Sequence, residues 1–365
     1  MDKDYIIIDP RPLDAFKEKT FSDFKKRDVI NALLKSIETG KIENVCYWIT
    51  ECILSGYTFD ILEKLFLYSS KLVHINSPKL PSYFWRKYST FLISINHIKK
   101  NEKEKHIHLR NTQTVRHCLF DIAITIALSP KNKRYDKYPK INEKEDFLFF
   151  KIKEKMNATM QILPSTTIRF TDPDELRVIM NEFFFNLKNN LGGYERACYW
   201  VAWLMQWEKK NKKNKQCFEI EERTLDGVNP KYCKDIVWLI WEVIFEETHL
   251  RDELIQHQIQ SLYKLFIHDY RSGKRNSRLP YIYHSIGYLT LPLNFKIPII
   301  CDLNLFLQTQ CNVNLMFQKK KDKEVKEYKQ PPPKPSQKVI SIQHEKCNDQ
   351  MNVLTEMDQI LLERK

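Results

Sequence analysis

A nine-residue pattern occurs twice in this chain without a gap, and it limits the possible folds more than any other feature. Gly40-x-x-Glu43-x-x-Cys46-Tyr47-Trp48 is matched 152 positions later by Gly192-x-x-Glu195-x-x-Cys198-Tyr199-Trp200. The apolar residues around it keep register: Val45, Trp48, Ile49, Cys52 and Ile53 answer to Ala197, Trp200, Val201, Leu204 and Met205. Both sets follow i, i+3, i+4, i+7, i+8, which puts each on one stripe of an α-helix facing a core. A pattern that recurs with its core face intact points to a duplicated helical unit; two copies make a pair, not a solenoid. The expected fold class is all-α, with two helical-bundle units related by internal duplication. Seven glycines in 365 residues are too few for turn-rich β architectures. The 42% of hydrophobic and 12% of aromatic residues supply a sizeable, ring-rich core.

Breakers and caps divide the chain. Residues 1–21 read as an extended N-terminal arm, with Tyr5-Ile6-Ile7-Ile8 running into Asp9-Pro10-Arg11-Pro12. Helical unit 1 spans 22–128. Its first helix starts at Ser22 or Asp23, buries Val29, Leu33 and Ile37 and stops at Gly40, and its fourth carries Tyr83, Phe84, Tyr88 and Phe91. A basic loop at 99–110 precedes an apolar helix that begins at Asn111 or Thr112 and ends at Leu128. The polar stretch 129–145, bounded by Pro130 and Pro139, reads as an inter-domain linker. Helical unit 2 spans 146–317. There Asp172-Pro173-Asp174-Glu175 gives the clearest helix start, with Asp172 as N-cap and Pro173 as first helical residue, and that helix runs to about Leu191. Asn229-Pro230 starts the next, and Arg271 to Arg278 forms a basic loop. Short helices broken by Pro280, Pro292 and Pro298 follow. Residues 318–342, with Pro331-Pro332-Pro333-Lys334-Pro335, read as a disordered basic linker. In 343–365, Met351, Leu354, Met357, Ile360 and Leu361 are spaced as a terminal amphipathic helix able to enter a partner's groove.

The first copy carries a family resemblance. Asp28-x-x-x-Ala32-Leu33-x-Lys35-Ser36-Ile37, Tyr47-Trp48, Gly56, Ser69-Ser70 and Pro78 resemble the C-terminal oligomerisation region of replication-associated AAA+ ATPases of the clamp-loader-like MgsA type. Lys71-Leu72 and His74 stand where that family has an acidic pair and a glycine. The resemblance covers residues 28–78 only. It implies a helical, self-associating module of the kind attached to replication machinery.

No phosphate loop accompanies it: Gly-x-x-x-x-Gly-Lys-Ser/Thr is absent, and Gly40-Lys41 reads as a helix cap. Gly-x-Ser-x-Gly, His-Glu-x-x-His and Gly-x-Gly-x-x-Gly are missing too. His106-Ile107-His108 with His117 lacks a third ligand of fixed geometry, so neither metal nor cofactor is expected. Glu43 and Glu195 sit in first helical turns, where the helix dipole favours them. Trp48 and Trp200 fall in the apolar stripes, whereas Tyr47 and Tyr199 lie beside them, placed to line an interface. No catalytic residue stands out, and the chain is not expected to be an enzyme.

The net charge of +13 is concentrated. Residues 99–110, 131–144, 208–215 and 319–338 carry +3, +4, +4 and +5, leaving the remainder slightly acidic. The candidate nucleic-acid contacts are Lys209, Lys210, Lys212, Lys213 and Lys215, then Arg271, Lys274, Arg275 and Arg278. Such residues give sequence-independent phosphate contacts. Nine singly scattered cysteines suit a reducing compartment, cytoplasm or nucleus, or a virion. No apolar window is long enough for a membrane span. The expected function is a non-enzymatic oligomerisation or adaptor protein of DNA replication or maintenance, with self-association or a protein partner. The alternative is a structural or scaffolding component of a large assembly such as a viral particle.

Overall fold

The computed structural model describes residues 5–98, 101–135, 137–214 and 220–328, without the side chains of residues 102 and 103. Two helices within it are enclosed on every face. Along α6 (Gln113–Leu128), Val115, Arg116 and every residue from Leu119 to Ala127 are buried. Along α12 (Arg275–Thr290), Arg278 and every residue from Pro280 to Thr290 are buried. Helices of this kind need neighbours all round. Around α6 stand α1 (Lys26–Thr39), α2 (Ile42–Leu54), α3 (Thr58–Leu72) and α4 (Leu80–Ile95), joined by α13 (Leu303–Cys311) and α14 (Val313–Gln318). Around α12 stand α8 (Asp174–Leu187), α9 (Gly193–Lys213), α10 (Ile236–Thr248), α11 (Glu253–Ile267) and also α3. The short α5 (Glu102–Leu109) and α7 (Phe149–Lys155) complete the set. Among the described residues there is no β-strand, only one antiparallel bridge between Lys19 and Lys25. The fold is all-α.

Both copies of the repeated pattern begin the second helix of a hairpin, since α1 packs on α2 as α8 packs on α9. Val45, Ile49, Cys52 and Ile53 are buried, as are Ala197, Trp200, Val201, Leu204 and Met205; Trp48 is half-buried. The entrances differ. Gly40, with φ 66°, closes α1 in the left-handed conformation that costs glycine little, and its N–H bonds the Ser36 and Ile37 carbonyls. α8 stops at Leu187, short of Leu191, and Gly192 occupies the N-cap of α9 instead.

The halves are not separated at 129–145. α11 lies against α4 and α12 against α3, while Tyr135, inside that segment, is buried and stacked on His74 at 4.0 Å. Residues 5–8 and 12–324 form one compact unit that takes in both expected units. A second unit comprises, among the described residues, Asp9–Arg11 and Val325–Tyr328. In it the Asp9 carboxylate pairs with Arg11 at 2.7 Å and accepts the Val325 N–H at 3.2 Å. Residues 5–8 of the N-terminal arm pack on the larger unit: Ile7 is buried, and the Asn111 side chain accepts its N–H and donates to its carbonyl.

Several local expectations differ from the structure, and at Ser22 and Asp172 a long-range partner outcompetes the local one. Ser22 does not cap α1; its N–H and hydroxyl donate to Glu51, which Lys320 also engages at 2.7 Å. Lys320 thereby belongs to the body, not to a basic linker. Asp172 does not cap α8, where Pro173 takes the N-cap place; its carboxylate accepts from buried Arg223 and from the Arg169 and Glu221 N–H groups. Asn229-Pro230 begins only a single 3₁₀ turn, and Asp235 caps α10 by accepting the Val237 N–H at 3.2 Å. The loop expected at 99–110 is mostly α5, capped by Asn101. Pro280 does not break α12; it sits in the second turn, where one missing donor is tolerated by the surrounding packing.

At the contact of α12 with the turn His74–Asn76, two buried histidines stack. His74 (φ 51°) lies between the rings of Tyr135 and His284, the latter at 4.4 Å, and His284 stacks in turn on Tyr288 at 5.0 Å. Hydroxyls and rings face the pair: Ser70 Oγ is 3.2 Å from His284 Nδ1, and Tyr194 Oη is 3.5 Å from His74 Nε2. Burial disfavours the imidazolium in both, pushing His284 down to about 3 and His74 well below its usual value. Gly287 makes room for them, because a Cβ there would overlap His74 Cε1.

Two outcomes follow from this stack. Gly287→Ala should destabilise the fold by about 1–3 kcal/mol through overpacking, read as a lower urea midpoint. Both imidazoles titrate lower in the folded than in the unfolded chain, whose value is about 6.5. Their contribution is therefore complete above pH 6.5 and is lost as the pH falls from there toward the folded values. The midpoint should drop between pH 7 and 5, and His284→Gln should flatten that drop.

Candidate functional site

The nine basic positions singled out in the sequence fall into three groups. Lys209, Lys210, Lys212 and Lys213 occupy the last turns of α9; Lys215 lies outside the described residues. Glu208 anchors the base of this tract, buried between Arg275 at 2.6 Å and Lys212 at 2.8 Å. Lys210 lies over the Phe147 ring at 4.6 Å, and Phe147 packs on Trp203, itself stacked on Trp207. Lys209 and Lys213 are exposed, and neither has a carboxylate partner among the described residues.

Arg275 and Arg278 are not loop residues. They lie on α12 and are taken up internally. Arg275 bridges Glu208 and Asp235, the carboxylate that caps α10 and accepts the Tyr270 hydroxyl at 2.9 Å. Arg278 is 3% exposed. It donates to the Phe266 and His268 carbonyls at 2.6 and 2.7 Å, where α11 runs out of intrahelical partners, and to Glu63 on α3 at 2.9 Å. Neither is presented as a nucleic-acid contact, because Arg275 is turned onto Glu208 and Asp235 and Arg278 is buried on Glu63 and two carbonyls.

Arg271 and Lys274 form the third group, on the turn between α11 and α12. Asp269 makes that turn in the left-handed conformation, φ 47°, which a short polar side chain tolerates. Its carboxylate pairs with Lys274 at 3.2 Å and Arg271 at 3.4 Å, and Lys274 reaches on to Glu63 at 3.1 Å. These groups border a cavity of about 430 Å³ where α3, α4, α5, α11 and α12 meet. Its apolar walls are Phe59, Phe66, Tyr88 and Tyr281, and Lys105 and His106 close it from α5.

Glu63, His268 and Tyr88 are held in place within this cavity. Burial by itself would raise the Glu63 carboxyl, but hydrogen bonds and charge from Arg278 and Lys274 outweigh it and hold the pKa below the usual carboxylate value. A carboxylate so held is a poor proton acceptor. Burial and the neighbouring Arg278 lower His268, so it is neutral at pH 7 and exchanges a 2.9 Å hydrogen bond with the Tyr88 hydroxyl. Burial pushes that phenol up to about 12. The arrangement suits binding more than proton transfer.

Local sequence pattern hid Glu63, Asp269, His268, Tyr88 and Phe59. Glu63 looks like an ordinary solvated residue on α3, and its partner Arg278 lies 215 positions away. The only signal was the basic cluster at 271–278 itself. Elsewhere, His106 Nδ1 faces the Gly56 carbonyl and His117 faces Gln310. No group of His, Cys, Asp or Glu among the described residues is arranged to hold a metal ion. Tyr47 lies under Lys320 at 3.7 Å, and the Tyr199 hydroxyl donates to Asp146 at 2.9 Å. Met351, Leu354, Met357, Ile360 and Leu361 lie outside the described residues. No helix among the described residues is long and apolar enough to cross a membrane.

Compared with known protein families, curated proteins and solved structures, the chain matches none.

Truncating Arg278 leaves Glu63 half-paired and two helix-end carbonyls bare. Arg278→Met should cost about 3 kcal/mol in urea denaturation, and Arg271→Ala, at an exposed position, should change stability by less than about 0.5 kcal/mol.

Proposed function

We propose that this chain is a non-enzymatic oligomerisation or adaptor protein of DNA replication or maintenance that holds nucleic acid through its phosphates, without reading sequence. The observation that carries this reading is the end of α9: a helix anchored at Glu208 presents Lys209 and Lys213 to solvent with no carboxylate partner among the described residues. Cations held this way release counterions on meeting a polyanion, which is the main source of sequence-independent affinity. The resemblance over Asp28 to Pro78 supplies the replication setting and the self-association. The lack of any phosphate-loop sequence and the pinned state of Glu63 favour a binding role over a catalytic one. An intracellular, reducing location fits a chain whose Cys46, Cys52 and Cys198 are buried and free.

A second reading, a structural or scaffolding component of a large assembly such as a viral particle, is favoured by exposed apolar side chains. Phe170 is 100% exposed, Leu191 85% and Phe149 81%. Leu191 and Met160 border one depression with Ile162 and Phe185. Such surface usually meets another protein.

Duplex and single-stranded DNA binding by the full chain should fall steeply between about 50 and 200 mM salt. The double substitution Lys209→Glu with Lys213→Glu should lower the salt slope by about 2 and leave the fold intact. A salt-independent response, or no binding at low salt, would remove the nucleic-acid part of the proposal. A large discrete mass in light scattering that collapses with Leu191→Ser while DNA has no effect would favour the scaffold instead.

A further inference from the structure

The cavity where α3, α4, α5, α11 and α12 meet has an unequal charge balance. Lys105, Arg271, Lys274 and Arg278 line it together with Asp60, Glu63 and Asp269. Asp60 turns to Lys26, which is not part of the lining, at 3.2 Å. Glu63 holds Arg278 and Lys274, and Asp269 holds Lys274 and Arg271. Lys105 has no carboxylate partner among the described residues, and Arg271, whose side chain is 69% exposed, has only a 3.4 Å contact. Two of the lining cations, Lys105 and Arg271, therefore remain able to take a phosphate group, whose oxygens match a guanidinium and an ammonium.

Behind those cations the walls are aromatic. Phe59 stands edge-on to His106 at 5.1 Å, and Phe66 meets Tyr88 at 5.6 Å, so a flat ring finds partners of its own kind. The volume of about 430 Å³ falls in the range of small-molecule sites. Also in the lining, Glu63 Oε1 accepts twice from Arg278, whereas Oε2 accepts once, from Lys274. A lone pair on Oε2 is left for a donor carried by the ring.

We infer that this cavity binds a nucleoside monophosphate whose base carries an exocyclic amine, with the phosphate on Arg271 and Lys105 and the amine on Glu63. The inference stands apart from the lysine tract on α9, which lines no part of the cavity. A base with a carbonyl in place of the amine turns an acceptor toward a fixed carboxylate, and sites built to hydrogen-bond an N–H reject such analogues strongly.

Titration calorimetry on the full chain with AMP, IMP, CMP, UMP and inorganic phosphate tests this. AMP and CMP should bind, with IMP, UMP and phosphate at least about tenfold weaker. Arg271→Ala and Lys105→Ala should each weaken AMP about tenfold at unchanged thermal midpoint. Glu63→Gln should erase the preference for AMP over IMP. If that variant fails to fold, the Arg271 and Lys105 variants still decide. The Lys209→Glu, Lys213→Glu double variant should bind AMP as the parent does even where DNA binding is lost. A 5′-phosphorylated oligonucleotide beginning with adenosine that outcompetes AMP would identify a strand end as the source of the ligand. No binding of AMP at about 1 mM, equal affinity for AMP and IMP, or equal affinity for phosphate alone would overturn the inference.

Discussion

Enclosing α12 on every face is the constraint from which most of this structure follows. Water is excluded along eleven consecutive residues, Pro280 to Thr290, so each polar group must find a partner inside the protein or impose a desolvation cost. Some partners are local: Ser285 and Thr290 donate back to carbonyls one turn earlier. Others come from the first half of the chain. Tyr288 donates to the Pro78 carbonyl at 2.7 Å, His284 meets Ser70, and Arg278 meets Glu63. The halves are joined by the hydrogen-bonding requirements of one helix as much as by apolar contact.

The same requirement explains why clustered positive charge was a poor guide to free positive charge. Arg275 and Arg278 belong to one sequence cluster with Arg271 and Lys274, yet the helical turn directs the first two inward, to Glu208, Asp235 and Glu63. Lys320 behaves alike, leaving a Lys-rich run to engage Glu51 and cover Tyr47. Arg116 goes furthest. It is buried with no carboxylate partner among the described residues, held by the Arg110 and Tyr5 carbonyls, Asn314 and Asn111, and lies on the Phe317 ring at 3.7 Å. Burial pulls its pKa down to about 10, still far above neutral.

Helix positions were legible because they rest on short-range physics. The stripe of Val45, Ile49, Cys52 and Ile53 and its counterpart in α9 set which faces turn inward, and Gly40 set where α1 ends. Cap assignments were less secure. Ser22 and Asp172 have the right chemistry to accept helix N–H groups, but Glu51 and Arg223 offered charge-assisted bonds that a neutral cap cannot match. The supposed linker at 129–145 failed for a related reason: polar composition and two prolines do not reveal that Tyr135 stacks on His74.

The sequence by itself determined the all-α class and the helix faces, since both depend on residues three to eight positions apart. Only the tertiary structure decided which cations remain available, which carboxylates are pinned, and that a charged, aromatic cavity opens between α3 and α11. Those outcomes depend on residues about two hundred positions apart, as with Glu63 and Arg278. Electrostatic pairing acts through space, and its strength is set by the burial that folding creates.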